Sequence, residues 1–447
     1  MNLRNYQVPH FYKLFGSLIN RGYALDASDT GTGKTYVALE CCKRLGVVPL
    51  VVGPKSAQGG WEAAAEDAGT AVEFVGYEKL RGTRKKRTGR DGVERALVDS
   101  DRLIEKPYGK GSLLRWKEVP DMIIFDEAHR CGGSTSLNSK ALIAAKRQAR
   151  HVLALSATAA DDPRQMKALG YALDLHGLSR KTTARSNYIG WLLRHGCTPG
   201  WAGGFEFTKN SEKGEKAFKL MHEEIFSTGK GARMRKAEIP GFPKTSIDIK
   251  LLTADAEAVE LAEELHRINQ IEHASLADTI CARQALEELK VPFLIDLAAD
   301  FVLTSKVVIF VNFTATLKRL ERDLPKALPS AGLVGVVWGQ QTEPERRQVL
   351  ADFQANKLDV LVCNIQAGGE AANMHDPTGQ VERTALICPC DSGRRYIQVQ
   401  GRVNRDGGAR SEQYVVFFKG TYEEKVARRM KQKGMNIELL NDAELLV

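Results

Sequence analysis

Two short segments restrict this chain to a narrow set of folds: Asp29-Thr30-Gly31-Thr32-Gly33-Lys34-Thr35, and later Met122-Ile123-Ile124-Phe125-Asp126-Glu127-Ala128-His129. The first has the pattern of a phosphate-binding loop. Gly31 and Gly33 let backbone N–H groups approach phosphate oxygens with no Cβ in the way, Lys34 reaches the outer phosphates, and the Thr35 hydroxyl ligates Mg²⁺. The second supplies what that loop lacks: Asp126, at the tip of a buried strand, to hold Mg²⁺, and Glu127 to orient and polarise an attacking water. Ser28 stands where the usual spacing puts a first glycine, and is expected to make the turn at some conformational cost. A Gly-Lys-Thr match alone is weak; followed in the right order by a carboxylate-tipped apolar strand, it is specific.

The surrounding pattern is that of a parallel α/β sheet. Tyr23 to Leu25 leads into the phosphate loop and Tyr36 to Leu45 reads as the following helix. Strands are predicted at Leu50 to Gly53, Ala71 to Val75, Met122 to Phe125 and His151 to Leu155. Each polar motif falls just after an apolar run, and open parallel sheets bind ligands at that edge. A second set of such units begins at Lys306 to Phe310 and continues through Leu333 to Val337, Val360 to Val362 and Thr384 to Ile387. Pro240-Gly241-Phe242-Pro243 breaks any helix and is the best hinge. The long amphipathic stretch Ala254 to Leu289 is expected to be helical, and within the basic run Arg81 to Arg90 the residues Arg84 to Arg87 read either as a mobile solvated loop or as phosphate contacts.

Hydrophobic residues at 43% and charged residues at 27% are ordinary for a globular protein of 447 residues with two or three domains. The net charge of +9 modestly favours a polyanionic partner. No apolar stretch is long enough to span a bilayer and the first residues are not a signal peptide, so a cytoplasmic protein with no membrane partner is expected. The eight cysteines lack paired CxxC spacing and read as buried reduced thiols. His195 and Cys197 lie close in sequence, but a histidine in such a place is more often structural than a ligand.

Gln398-Val399-Gln400-Gly401-Arg402-Val403-Asn404-Arg405 resembles the QxxGRxxR motif of superfamily 2 helicases. Ser156-Ala157-Thr158 is similar to that superfamily's motif III and Asn364 to Glu370 to its motif V, while Leu3 to Gln7 is similar to the segment whose glutamine recognises adenine. The resemblance narrows to the Snf2 group through Pro54-Lys55-Ser56 with Trp61-Glu62, Gly76 to Leu80, Ala282 to Gln284, Lys290 to Pro292 and Gly420 to Val426. Within it, Tyr188 to Trp201 and Arg233-Met234-Arg235-Lys236 are most similar to the annealing-helicase, fork-remodelling branch. Departures are Asn404 for a usual histidine and Asp406-Gly407-Gly408 for the common Ile-Gly-Gln.

The resemblance implies two RecA-like parallel-sheet motor domains in tandem with helical insertions: an ATP-binding domain over 1–239 with a helical insertion after motif III, and a second over 240–447 that starts with a helical segment. It implies ATP and Mg²⁺ as cofactors. Arg402 and Arg405 neutralise charge on the transferring phosphoryl group, Gln7, Thr30, Gly31, Thr32, Gly33, Lys34 and Thr35 hold nucleotide, and Lys55, Ser56, Lys79 and Asn364 contact nucleic acid. His129 is expected as a hydrogen-bonding group rather than a base, and Trp61 and Trp201 as packing residues. The leading expectation is an ATP-dependent translocase on double-stranded or branched DNA, working with replication, recombination or repair proteins. The alternatives are a strand-separating DNA or RNA helicase, or an ATP-gated subunit of a larger nucleic-acid-processing complex.

Overall fold

The computed structural model describes residues 3–88, 92–108, 111–178, 187–201, 203–207, 211–253, 255–270, 276–328, 333–368 and 373–441. Short apolar runs too uniformly hydrophobic for a one-sided sheet become strands covered on both faces. In the first sheet the order is Gly231–Ala232, Tyr23–Asp26, His151–Leu155, Met122–Asp126, Leu50–Gly53 and Glu73–Gly76, every pair parallel. Alternate residues serve opposite faces. Ala24, Val51, Ile124 and Leu153 pack with Leu14 and Leu18 of the helix Gln7–Arg21 and with Val37 and Leu39 of Lys34–Leu45. Leu25, Val52, Phe125 and Ala154 face the opposite way, against Ala141 and Leu142 of the helix Leu137–Gln148. Each such fully buried large aliphatic or aromatic side chain contributes about 1.5–3 kcal/mol.

The second sheet is also wholly parallel, in the order Thr245–Leu252, Ser411–Phe418, Arg383–Ile387, Lys306–Val311, Val360–Asn364 and Val334–Val337. Its faces form two cores, one around Phe310, Leu361 and Ile387, the other around Ile309, Val362 and Leu386. Contacts divide the chain into two compact units, Met1–Ile239 with Met435–Val447, and Pro240–Gly434. Two parallel-sheet α/β domains in tandem are the RecA-like arrangement that the resemblance implied.

Several expectations fail in detail. The basic run is not a loop: Thr83–Thr88 is the edge strand of a four-stranded antiparallel sheet completed by Glu94–Asp99, Leu103–Tyr108 and Gly111–Trp116. Alternation with Val98, Leu103, Leu114 and Trp116 turned into the first core gives that sheet a buried face. Gly89 and Arg90 of the run lie outside the described residues. The amphipathic stretch is helical as expected over Ala256–Gln270 and Leu276–Leu289, with Ala254 and 271–275 outside the described residues. The strand expected at Ala71 to Val75 is Glu73–Gly76. Seven cysteines are buried and Cys281 is exposed, against the expectation for all eight. No helix among the described residues is long and apolar enough to cross a membrane.

Candidate nucleotide and nucleic-acid site

The phosphate loop joins the strand Tyr23–Asp26 to the helix Lys34–Leu45, whose N-terminal backbone N–H groups are unsatisfied within the helix and suited to an anion. Gly31 and Gly33 have φ of +83° and +87°, a conformation that side chains resist. At Gly33 a Cβ would also come within 2.3 Å of Gln7 Nε2. Ser28, by contrast, carries no left-handed backbone and incurs none of the expected cost. It is fully buried and its hydroxyl is used: Oγ lies 3.2 Å from His10 Nε2 and accepts from Met234 N at 2.9 Å. Beneath it the buried Asp26 accepts from Ser28 N at 2.9 Å and pairs with His10 at 3.1 Å. Burial works to raise the Asp26 pKa, and His10 with Lys34 and the Ser28 bond outweighs it, leaving the carboxyl below its ordinary value.

Lys34 Nζ donates to Ser28 O at 2.8 Å and Asp29 O at 3.1 Å, folded back onto the loop it belongs to. Thr32 is fully buried, its hydroxyl donating to Asp29 O at 2.9 Å, so its side chain shapes the loop rather than facing a ligand. Thr30, Gly31, Gly33 and Thr35 are half-buried. Gln7 is 4% exposed, with Nε2 donating to Thr32 O at 3.0 Å and Oε1 accepting from Arg4 N at 2.9 Å. It thereby ties the start of the chain to the loop.

The strand Met122–Asp126 is separated from the loop's strand by His151–Leu155, so Asp126-Glu127, Ser156-Ala157-Thr158 and the phosphate loop share one sheet edge. Asp126 Oδ2 accepts from the Trp61 indole N–H at 2.9 Å and Oδ1 from Glu127 N at 2.9 Å. Trp61, 2% exposed, packs as expected and in addition orients this carboxylate, a role its spacing did not reveal. Burial and then the neighbouring Glu127 push the Asp126 pKa up to about 6, partly offset by Trp61 and Lys34. Glu127 adopts φ +50°, ψ +50°, and its Oε2 is 3.2 Å from His129 Nδ1. The same Nδ1 lies 3.2 Å from Ser156 Oγ and 3.3 Å from Thr158 Oγ1, linking the acidic box to the adjacent strand's end.

Further along the same edge, Lys55 and Ser56 occupy a turn after Leu50–Gly53, and Lys79 the short helix Tyr77–Arg81 after Glu73–Gly76. Both lysines are exposed and Ser56 is half-buried. In the second sheet Asn364 ends the strand Val360–Asn364, its Nδ2 donating to Asn312 O at 2.9 Å and its Oδ1 accepting from Gln366 N at 3.0 Å. Gly369 and Glu370 of the same motif lie outside the described residues. Arg402 is 5% exposed in the last turn of the helix Gly393–Val403, and Arg405 follows that helix, so the two arginines do not share one helix face.

Residues 1–161 match the family of the res subunit of type III restriction enzymes, and residues 290–407 match the helicase conserved C-terminal domain. These are the two domains of a superfamily 2 helicase. A protein of Acanthamoeba polyphaga mimivirus named as an ATP-dependent RNA helicase is 27% identical over 474 residues, covering 98% of this chain and 84% of the relative. The chain is a nucleic-acid-dependent ATPase of the helicase class.

Motif spacing did not reveal the strap that holds the phosphate loop of this helicase. After the edge strand Gly231–Ala232, Arg233 donates twice to Asp29 Oδ1, at 3.1 and 2.7 Å, and Lys236 N donates to Asp29 Oδ2 at 3.0 Å. Asp29 N returns a bond to Met234 O at 3.0 Å. The only sequence sign was a cluster of cations far from the loop. Replacing Arg233 by methionine keeps the packed stem and removes the charge-assisted pair. The expected result is a several-fold rise in the KM for ATP with kcat nearly unchanged, measured by steady-state hydrolysis; an unchanged KM would mean that the loop holds its shape without the strap.

Proposed function

We propose that this chain is an ATP-driven motor of the Snf2 type that moves along double-stranded or branched DNA. The observation that carries the catalytic part is the meeting, on one sheet edge, of a glycine-shaped phosphate loop with a buried, raised-pKa carboxylate and a second carboxylate beside it. Oxygen donors from Thr35 and Asp126 suit a hard divalent cation, and a cation there favours the ionised form of a carboxyl otherwise half-protonated near pH 6. Bound Mg²⁺ would neutralise charge on the phosphate oxygens.

In the proposed reaction Glu127 accepts a proton from water as its oxygen bonds to the γ-phosphorus. The bond from that phosphorus to the bridging oxygen breaks, and ADP leaves. Lys34, Arg402 and Arg405 offset negative charge on the transferring group. Gln7 and residues 30–35 hold the nucleotide, Gln7 by its amide and the loop by its backbone N–H groups. Lys55, Ser56, Lys79 and Asn364 supply phosphodiester contacts. The DNA preference is supported by the Snf2-like segments at Pro54-Lys55-Ser56 and Arg233 to Lys236, while the net positive charge suits a polyanion of either kind.

A second reading, a strand-separating RNA helicase, draws on the name of the mimivirus relative. ATP hydrolysis measured against single-stranded DNA, duplex DNA, forked DNA and RNA separates them. Stimulation by duplex or forked DNA well above that by RNA is expected. Equal stimulation by RNA, with unwinding of a tailed RNA duplex, would transfer the assignment to the second reading.

A further inference from the structure

Trp201 was expected to pack, and it does not: it is fully exposed, at 102% of its reference area. It sits at the tip of an antiparallel hairpin whose strands, Cys197–Pro199 and Phe205–Phe207, pair Cys197 with Phe207 and Pro199 with Phe205. The tip is closed by Gly203 N donating to Gly200 O at 3.1 Å and Gly200 N to Gly204 O at 3.1 Å. Gly203 and Gly204 take φ of +85° and +80°, yet a Cβ at either would meet nothing within 4 Å. These glycines are demanded by the turn and not by crowding, so the tip is narrow and open.

The root is held firmly. Cys197 is buried, and Phe207 meets Phe218 edge-on at 5.8 Å. Arg164 Nη1 donates to Phe205 O at 3.0 Å while its Nε donates to Asp162 at 2.9 Å. Tyr188 in turn donates its hydroxyl hydrogen to Arg164 O at 2.8 Å. Arg164 belongs to the turn Pro163–Met166, which follows closely after Ser156-Ala157-Thr158, the segment in contact with His129 of the acidic box. A cleft of about 480 Å³, bordered by Gly132, Asp162, Gln165 and Gly204, separates the hairpin from the turn after that box.

We propose that Trp201 is a stacking platform for an unpaired base of a single-stranded segment of the nucleic-acid substrate; this rests on the motor reading above and names the part of the substrate this hairpin contacts. A protein partner needs roughly 800 Å² of complementary surface on each side, which one indole among glycines does not provide. A base presents a single π-face of matching size, and stacking on an aromatic ring accepts any base. The rigid root fixes the backbone that presents the ring, and Arg164 ties that root to the turn that follows Ser156-Ala157-Thr158. The substrate class is therefore nucleic acid with an unpaired stretch, such as a fork or a gap, in preference to a blunt duplex.

The test uses the full chain with Trp201→Ala and Trp201→Phe, reading affinity by fluorescence anisotropy without ATP turnover. Labelled oligo-dT, the same sequence as RNA, a forked DNA and a blunt duplex are the probes. Because Trp201 packs against nothing, both variants should melt at the wild-type temperature and keep the nucleic-acid-free ATPase rate. Trp201→Ala is expected to bind the single strands and the fork about 5- to 100-fold more weakly. Trp201→Phe should lose much less, and the blunt duplex should change less than about twofold, since an intact duplex offers no free base face. Wild-type affinity of Trp201→Ala for single strands and fork, or equal losses on the blunt duplex, would overturn the proposal. An ATPase that no nucleic acid stimulates would instead sink the motor reading, and the affinities would still decide Trp201.

Discussion

Glu127→Gln is expected to reduce ATP turnover by about 10²- to 10⁴-fold, the usual contribution of a positioned general base, while leaving ATP affinity within a few-fold of wild type. The substitution is nearly isosteric and keeps an oxygen facing His129, which lies 3.2 Å from Glu127 Oε2. It removes only the ability to take a proton from the attacking water. The backbone supports this placement of function: Glu127 holds φ +50°, a left-handed conformation uncommon outside glycine, and such strain persists where the surroundings over-determine it. Here the Glu127 amide is pinned to Asp126 Oδ1 at 2.9 Å, and its carboxylate meets His129. Lys34→Ala differs in kind, because it removes the proposed phosphate ligand and should weaken nucleotide binding as well. Single-turnover hydrolysis with a separate binding measurement distinguishes the two, and a loss below about tenfold in Glu127→Gln would assign proton transfer elsewhere.

Reading the chain without coordinates located the strands that end in polar motifs, because strands covered on both faces are unbroken apolar runs and Tyr23 to Leu25, Leu50 to Val52 and Met122 to Phe125 are such runs. Glycine spacing in the phosphate loop was equally legible, since left-handed φ at Gly31 and Gly33 admits few other residues. What was hidden has a common physical cause. Tertiary partners decided it. Thr83–Thr88 is polar throughout, and only pairing with Glu94–Asp99 makes it a strand. Arg233 reaches Asp29 across a long interval of chain, an ion pair that no local pattern encodes. The Asp126–Trp61 bond likewise joins a strand end to a residue of the helix Gln58–Ala68, far apart in sequence. Trp201 was assigned to packing because most tryptophans are largely buried; the flanking Pro199, Gly200, Gly203 and Gly204 were the available sign of a turn that would carry it outward.

Lys290→Met is expected to destabilise the second domain by about 3–5 kcal/mol, the cost of leaving one charge of a buried pair without its partner. Lys290 is fully buried and its Nζ lies 2.7 Å from Glu423 Oε1. Burial works against the ammonium, but the acidic neighbours Cys388, Glu423 and Glu287 outweigh it and hold the Lys290 pKa above its ordinary value. Glu423 is itself raised by burial, with Lys290 opposing that rise. Without Lys290 its pKa climbs further above the unfolded value. Protons then bind the folded state more tightly, so the variant's deficit should grow as pH rises above the ordinary carboxylate range and shrink on acidification. The adjacent Glu287 accepts from Asn312 N at 2.9 Å and Phe313 N at 3.0 Å, and Asn312 O accepts from Asn364. Loosening Lys290 therefore also loosens the strand end that carries a proposed nucleic-acid contact. Replacing both partners, Lys290→Met with Glu423→Leu, removes the unpaired charge and should recover most of the stability. Urea unfolding of wild type, single and double variants at two pH values reads these differences directly. A single variant as stable as wild type, or a deficit independent of pH, would show that Glu423 finds water or another cation when Lys290 is absent.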